Sequence, residues 1–257
     1  MSESARIPRP NARLLPLEGR AFLELAALLP AYPFLRRAPA GDGHPVLVLP
    51  GFMASDFSTR ALRRFLRDKG YRTHGWKLGR NLGPNDVLIA AMLERLQGLH
   101  GRYGRRVSLI GWSLGGIYAR ELARALPELV RQVITLASPF RDLDAVNVPR
   151  FLQRRARRRR PERDDRPVRA RLREPLTVPT TAIVSRTDAI ASWQSCCTEP
   201  GPLSENLEVD SSHLGIGHHP VVLLTIADRL AQLEGAWKPF APPRGWRFPF
   251  VPRVLES

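Results

Sequence analysis

Gly111-Trp112-Ser113-Leu114-Gly115-Gly116 lies between an apolar run, Val107-Ser108-Leu109-Ile110, and a stretch of helical character, Ile117 to Ala123. The run reads as a buried strand, so the serine sits at a strand-to-helix junction. This is the G-x-S-x-G nucleophile-elbow pattern. So tight a turn leaves no room for side chains on its flanking residues, hence the glycines. The serine is forced into a strained backbone conformation that lifts its hydroxyl clear of the sheet. Leu114 then opens a helix whose free N–H groups can receive a developing negative charge. Alone, the pattern also fits ordinary turns; what decides is whether an acid and a base follow in order.

Upstream, Val46-Leu47-Val48-Leu49 reads as a strand stopped by Pro50-Gly51. Thr59 to Lys69 reads as a helix with Leu62, Phe65 and Leu66 on one face and Gly70 as its stop. Tyr71 to Trp76 reads as a strand, and Asn85 to His100 as an amphipathic helix closed near Gly101. Downstream, strands are expected at Gln132–Leu136, Thr180–Val184 and Leu207–Val209, and a last helix at Val221–Leu233. Strands alternating with helices imply an α/β fold, a mostly parallel sheet covered by helices on both faces. Residues 1–42 read as an irregular and helical extension, 43–257 as the main domain, and 140–176 as an inserted basic cap. Residues 235–257, with five prolines and two of the five tryptophans, read as an ordered but irregular tail.

Composition narrows the function classes. A chain of 257 residues with 43% hydrophobic residues suits one large domain. No apolar run reaches eighteen residues, so no transmembrane helix is expected. The apolar stretch Phe22 to Leu35 contains Glu24, Pro30 and Pro33, which argues against a secretory signal and for an amphipathic helix packed on the core or touching lipid. Cys196 and Cys197 are the only cysteines, and adjacent. They cannot staple distant segments or complete a structural zinc site, so a reduced pair in a cytoplasmic protein is expected.

The formal charge is +16, and lysines supply only three of the 40 basic residues. Between Arg150 and Arg173 stand twelve arginines against Glu162, Asp164 and Asp165. Such a run suits a solvated surface insertion or contact with an anionic membrane surface. Nucleic acid is disfavoured, because only Phe151 is available to stack on bases.

A serine nucleophile needs a base, and the base an orienting acid. The residues offer His213, His218 and His219 as bases and Asp142, Asp144, Asp188 and Asp210 as acids. Asp188 stands directly after the strand Thr180–Val184, at the carboxyl edge of the sheet where function gathers in such folds.

Four pieces together resemble the α/β-hydrolase superfamily, in its lipase- and esterase-like branch: Leu49-Pro50-Gly51-Phe52, Gly111 to Gly116, Ser185-Arg186-Thr187-Asp188, and Ser212-His213-Leu214-Gly215. The resemblance spans residue 46 to about residue 230. It implies Ser113 as nucleophile, Asp188 as orienting acid and His213 as general base. It also implies an oxyanion hole from the backbone N–H groups of Phe52 and Leu114, with Pro50-Gly51 where the family often has His-Gly. The expected activity is hydrolysis of a small-molecule or lipid acyl ester without metal or organic cofactor. The alternatives are an acyltransferase or thioesterase with the same triad, or a noncatalytic membrane-surface or binding scaffold.

Overall fold

The computed structural model describes residues 7–148, 166–242 and 251–255. The apolar runs form β1 (Pro45–Leu49), β2 (Arg72–Gly75), β3 (Val107–Trp112), β4 (Val130–Leu136), β5 (Thr180–Val184) and β6 (Ser204–Glu208); the tail adds β7 (Arg253–Val254). They make one sheet in the order β2-β1-β3-β4-β5-β6-β7. Every pairing is parallel except β6 with β7, where Leu207 pairs with Val254.

Alternation along β1 explains the two helical layers, since successive side chains leave opposite faces of a sheet. Val46 and Val48 pack on one face with α2 (Leu28–Arg36), α3 (Arg60–Asp68) and α8 (Pro220–Ala231), through Leu35, Leu62, Leu66 and Leu223 among others. Leu47 and Leu49 pack on the other with α4 (Asp86–Tyr103) and α5 (Leu114–Ala125), through Leu96, Leu99 and Leu122. Helix α8 is buried along nearly its whole length, and both α2 and α3 pack against it. Before α2, residues 12–20 form a 3₁₀ helix whose start is capped by Asn11, and α1 spans Ala21–Ala26. Residues of the extension thus belong to the main core: Ala31, Leu35 and Ala38 are buried in it.

Several boundaries differ from the sequence expectation. Helix α4 runs past Gly101 to Tyr103 and stops at Gly104, which is left-handed at φ 61° and donates its N–H to the His100 carbonyl. Met92, Leu96 and Leu99 hold this helix on the core, and that packing outweighs a cost of about 1 kcal/mol for an interior glycine. The strand expected at Leu207–Val209 begins earlier, at Ser204, where β5 supplies a partner for each residue. The tail is not wholly irregular, since it contributes β7.

Residues 149–165 of the cap lie outside the described residues, and with them most of the Arg150–Arg173 run. Its far end is α6 (Arg166–Arg173), where Leu172 is buried, and the short α7 (Trp193–Cys196) follows β5. Buried Arg120 of α5 secures the exit, donating to the carbonyls of Leu172 (3.2 Å) and Glu174 (2.8 Å) while stacking on Phe140. No helix among the described residues is long and apolar enough to cross a membrane.

Candidate active site

Ser113 follows β3 directly and has φ 53° and ψ −120°, a conformation that side chains rarely tolerate. The residues two before and two after it must be glycines. A β-carbon at Gly111 would strike the backbone of Gly115 and Gly116, and one at Gly115 would strike the Leu49 carbonyl. The other non-glycine residues of positive φ are Met53, Lys77 and Ala137, just beyond β1, β2 and β4. Among the described residues, such strain therefore gathers along one carboxyl edge of the sheet.

The same edge brings a histidine and an aspartate to Ser113. His213 Nε2 lies 3.0 Å from Ser113 Oγ, and His213 Nδ1 lies 2.7 Å from Asp188 Oδ2. The other Asp188 oxygen accepts the N–H groups of Ile190 (2.7 Å) and Ala191 (2.8 Å), which fixes the carboxylate plane. Nδ1 therefore carries the proton toward Asp188, and Nε2 is left to accept from the serine hydroxyl. Burial alone would disfavour a charged imidazole here. The Asp188 charge and hydrogen bond, helped by the Glu18 charge, outweigh it and raise the His213 pKa above its ordinary value.

Opposite the serine, Gly51 lies so close that a β-carbon there would sit 3.3 Å from Ser113 Cβ. Phe52 follows it, and Leu114 follows the serine. Neither backbone N–H of these two finds a protein acceptor among the described residues. Asn81, fully buried, holds this loop. Its Nδ2 donates to the Pro50 carbonyl (2.9 Å), its carbonyl accepts from Met53 N (2.7 Å), and its N–H donates to Ala54 O (2.8 Å).

The remaining candidates fall elsewhere. His218 Nε2 bonds the Ala21 carbonyl at 3.0 Å. His219 occupies the N-cap of α8 without a side-chain capping bond, and burial lowers its pKa. Asp210 accepts the Thr187 hydroxyl (2.7 Å), and Asp142 accepts the Asp144 N–H (2.9 Å).

Sequence reading missed five supports of this site. Besides Asn81, Ser185 Oγ donates to Ser211 O (2.6 Å) and accepts from Ser211 N (3.2 Å), joining the loop of Asp188 to the loop of His213. Trp112 Nε1 donates to the His213 carbonyl at 3.0 Å. Glu18 and Glu24 reach the same loop from the N-terminal extension. None of these forms a local pattern, because the partners stand tens to nearly two hundred residues apart; the one local cue was a glutamate, Glu24, in an otherwise apolar stretch.

Solved structures of the same architecture include lipase B from Aspergillus fumigatus, with 16% identity, TM-score 0.59, and 76% of this chain and 53% of that one covered. The present chain thus spans about half the length of that lipase. The mature lipase BlEst2 of Bacillus licheniformis shows 14% identity, TM-score 0.56, and coverage of 76% and 94%. An alpha/beta superfamily hydrolase of Oenococcus oeni PSU-1 shows 15% identity, TM-score 0.55, and coverage of 73% and 91%. No curated protein matches the sequence. The profile of the alpha/beta hydrolase family matches residues 46–255, from the start of the sheet through its last strand, and the chain belongs to that family.

Proposed function

We propose that the protein is a serine hydrolase that cleaves a carboxylic ester through an acyl-enzyme. The reading rests on one observation: a strained serine whose Oγ lies 3.0 Å from a buried imidazole that is itself held by a carboxylate. His213 Nε2 takes the Ser113 proton as Oγ attacks the ester carbonyl. The resulting oxyanion is received by the N–H groups of Phe52 and Leu114, each such donor lowering the barrier by about 3 kcal/mol. His213 then passes the proton to the leaving alkoxide, and the alcohol departs. Water, deprotonated by the same imidazole, attacks the acyl-serine, and collapse releases the acid and restores Ser113. Asp188 holds the tautomer and offsets the imidazolium charge throughout.

Fluorophosphonate labelling of wild type and Ser113→Ala, followed by turnover of esters of graded chain length, tests this. Labelling that persists in Ser113→Ala, or no labelling of wild type, defeats the reading. A preference for long acyl chains assigns a lipase, and one for short chains an esterase. Faster turnover of the matching thioester, or acyl transfer to an added alcohol in place of hydrolysis, reassigns the chemistry to a thioesterase or an acyltransferase. The Arg150–Arg173 run is proposed to hold the protein against anionic lipid as a peripheral cytoplasmic enzyme. Removing residues 153–170 should then lower activity on anionic vesicles more than on a soluble short ester, and equal losses would refute that role.

A further inference from the structure

The extension before β1 precedes the family match, which begins at residue 46, yet it carries two buried carboxylates aimed at the loop of His213. Glu18 Oε1 accepts the N–H groups of Ala189 (3.0 Å) and His213 itself (3.1 Å), and Glu18 Oε2 accepts that of Leu214 (3.0 Å). Glu24 Oε1 accepts Ser212 N (2.8 Å), and its Oε2 accepts the Ser212 hydroxyl (2.6 Å). Arg20 stands between the two, paired with Glu24 (3.3 Å) and hydrogen-bonded to the Thr187 hydroxyl. Gly215 completes the fit, because a β-carbon there would collide with the Glu24 carboxylate.

We infer that Glu18 and Glu24 are positioning residues, which set the His213 loop against Ser113 and Asp188 by binding its consecutive backbone N–H groups. The inference rests on the ester-hydrolase reading of Ser113.

Ser212, His213 and Leu214 follow the end of β6 and precede α8, so no sheet or helix ladder satisfies their N–H groups. Ser212 and His213 are buried, and a buried N–H must nonetheless be paired; among the described residues the two carboxylates pair both of them, and Glu18 also takes the N–H of the more exposed Leu214. Glu18 does more than fill that need. It bonds Ala189 on the acid's side and His213 on the base's side with one oxygen, and so adds a second tie between the two loops that Ser185 also joins. A shift on the order of 1 Å between reacting groups costs up to about a hundredfold in rate. Accepting three N–H bonds also requires two acceptor oxygens, which a glutamate has and a glutamine lacks. Glu18 further places a negative charge near His213, in the sense that favours the imidazolium formed during the reaction.

The test replaces Glu18 by Gln and by Asp in the full chain, with Glu24→Gln alongside, and reads kcat, KM, the pH profile of kcat/KM and thermal melting. Ser113-dependent fluorophosphonate labelling of wild type is established first, and its failure would defeat the hydrolase reading, not this one. Glu18→Gln should lower kcat by roughly tenfold to a hundredfold with KM little changed, and its acid limb should move to lower pH. Glu18→Asp keeps the charge but loses reach, so kcat should fall while the acid limb stays nearer that of wild type. Glu24→Gln should lower kcat without moving the limb. Folded Glu18 variants with wild-type kcat and an unmoved limb would overturn the inference. So would a failure of both Glu18 variants to fold, which would reduce the residue to a structural support.

Discussion

Two Ser–His–Asp constellations share one strand of this protein. At the carboxyl end of β3, Ser113 meets His213 and Asp188; five residues earlier, Ser108 Oγ lies 2.8 Å from His44 Nε2, whose Nδ1 is 2.5 Å from Asp42. The residue types and contacts match, but the surroundings do not. Ser108 lies inside β3, paired with Val46 and, just after a register shift at Val107, with Gln132; it is fully buried, as is His44. No strained turn lifts its hydroxyl, and no helix begins beside it. The acids differ as well. Asp42 also binds Arg131 (2.8 Å) and Arg105 (2.6 Å), so its charge is already balanced. Burial, reinforced by Arg131, pushes the His44 pKa down to about 4 despite the Asp42 bond, whereas that of His213 is raised. A base that must become an imidazolium needs the second environment; a neutral imidazole that ties β1 to β3 needs the first. Three side chains in contact do not make a hydrolytic site without the backbone and the charges around them.

The sharpest way to break this contrast is at the serines. Ser113→Ala should reduce kcat by at least about a thousandfold, while Ser108→Ala should leave ester turnover near that of wild type. Comparable losses would erase the distinction. A smaller effect is expected at Asn81, which holds the Pro50–Met53 loop beside Ser113 and has no counterpart near Ser108. Asn81→Ala should lower kcat by roughly tenfold to a hundredfold, with less effect on the rate of binding a neutral substrate analogue. An unchanged kcat would mean that the loop holds itself.

The histidines should also respond oppositely to pH. His44 titrates lower in the folded chain than its ordinary 6.5, so the unfolded chain binds the extra proton first. Its contribution to stability is complete above 6.5 and is lost as pH falls toward about 4. At about 1.4 kcal/mol per unit, that loss is roughly 3 kcal/mol. The stability difference between wild type and His44→Asn, measured by denaturant unfolding, should therefore shrink between pH 7 and 4. A constant difference would show that His44 does not stay neutral when buried. For His213 the sign reverses: stability from its imidazolium is present below 6.5 and fades as pH rises through its raised folded value. Turnover needs the neutral base, so the acid limb of kcat/KM should lie above pH 6.5. A limb below that value would mean that the Asp188 and Glu18 charges are screened. This is the smallest effect, a displacement of a curve.

Much of this architecture was legible in the chain. The alternation of strands and helices was readable because burial of β1, β3 and β5 leaves long apolar runs, and because Gly51, Gly70 and Gly111 punctuate them. The order of Ser113, Asp188 and His213 was readable for the same reason: each follows the carboxyl end of a parallel strand, and a parallel sheet gathers those ends on one edge. The start of β6 was not, since Ser204 and Glu205 are polar and owe their strand conformation to β5. Nor was the choice among three neighbouring histidines decided by periodicity or spacing.

The elements, their order and the strained turn at Ser113 could be read from the amino acids alone, because these depend on interactions within a few residues along the chain. The folded chain added the distances at which His213 and Asp188 stand from Ser113, and that Glu18, Glu24, Asn81 and Ser185 hold the surrounding loops. Those contacts join residues 26 to 196 positions apart, and such pairings leave no period or motif to read. They exist only once the sheet has brought distant strand ends together and buried backbone groups must find partners.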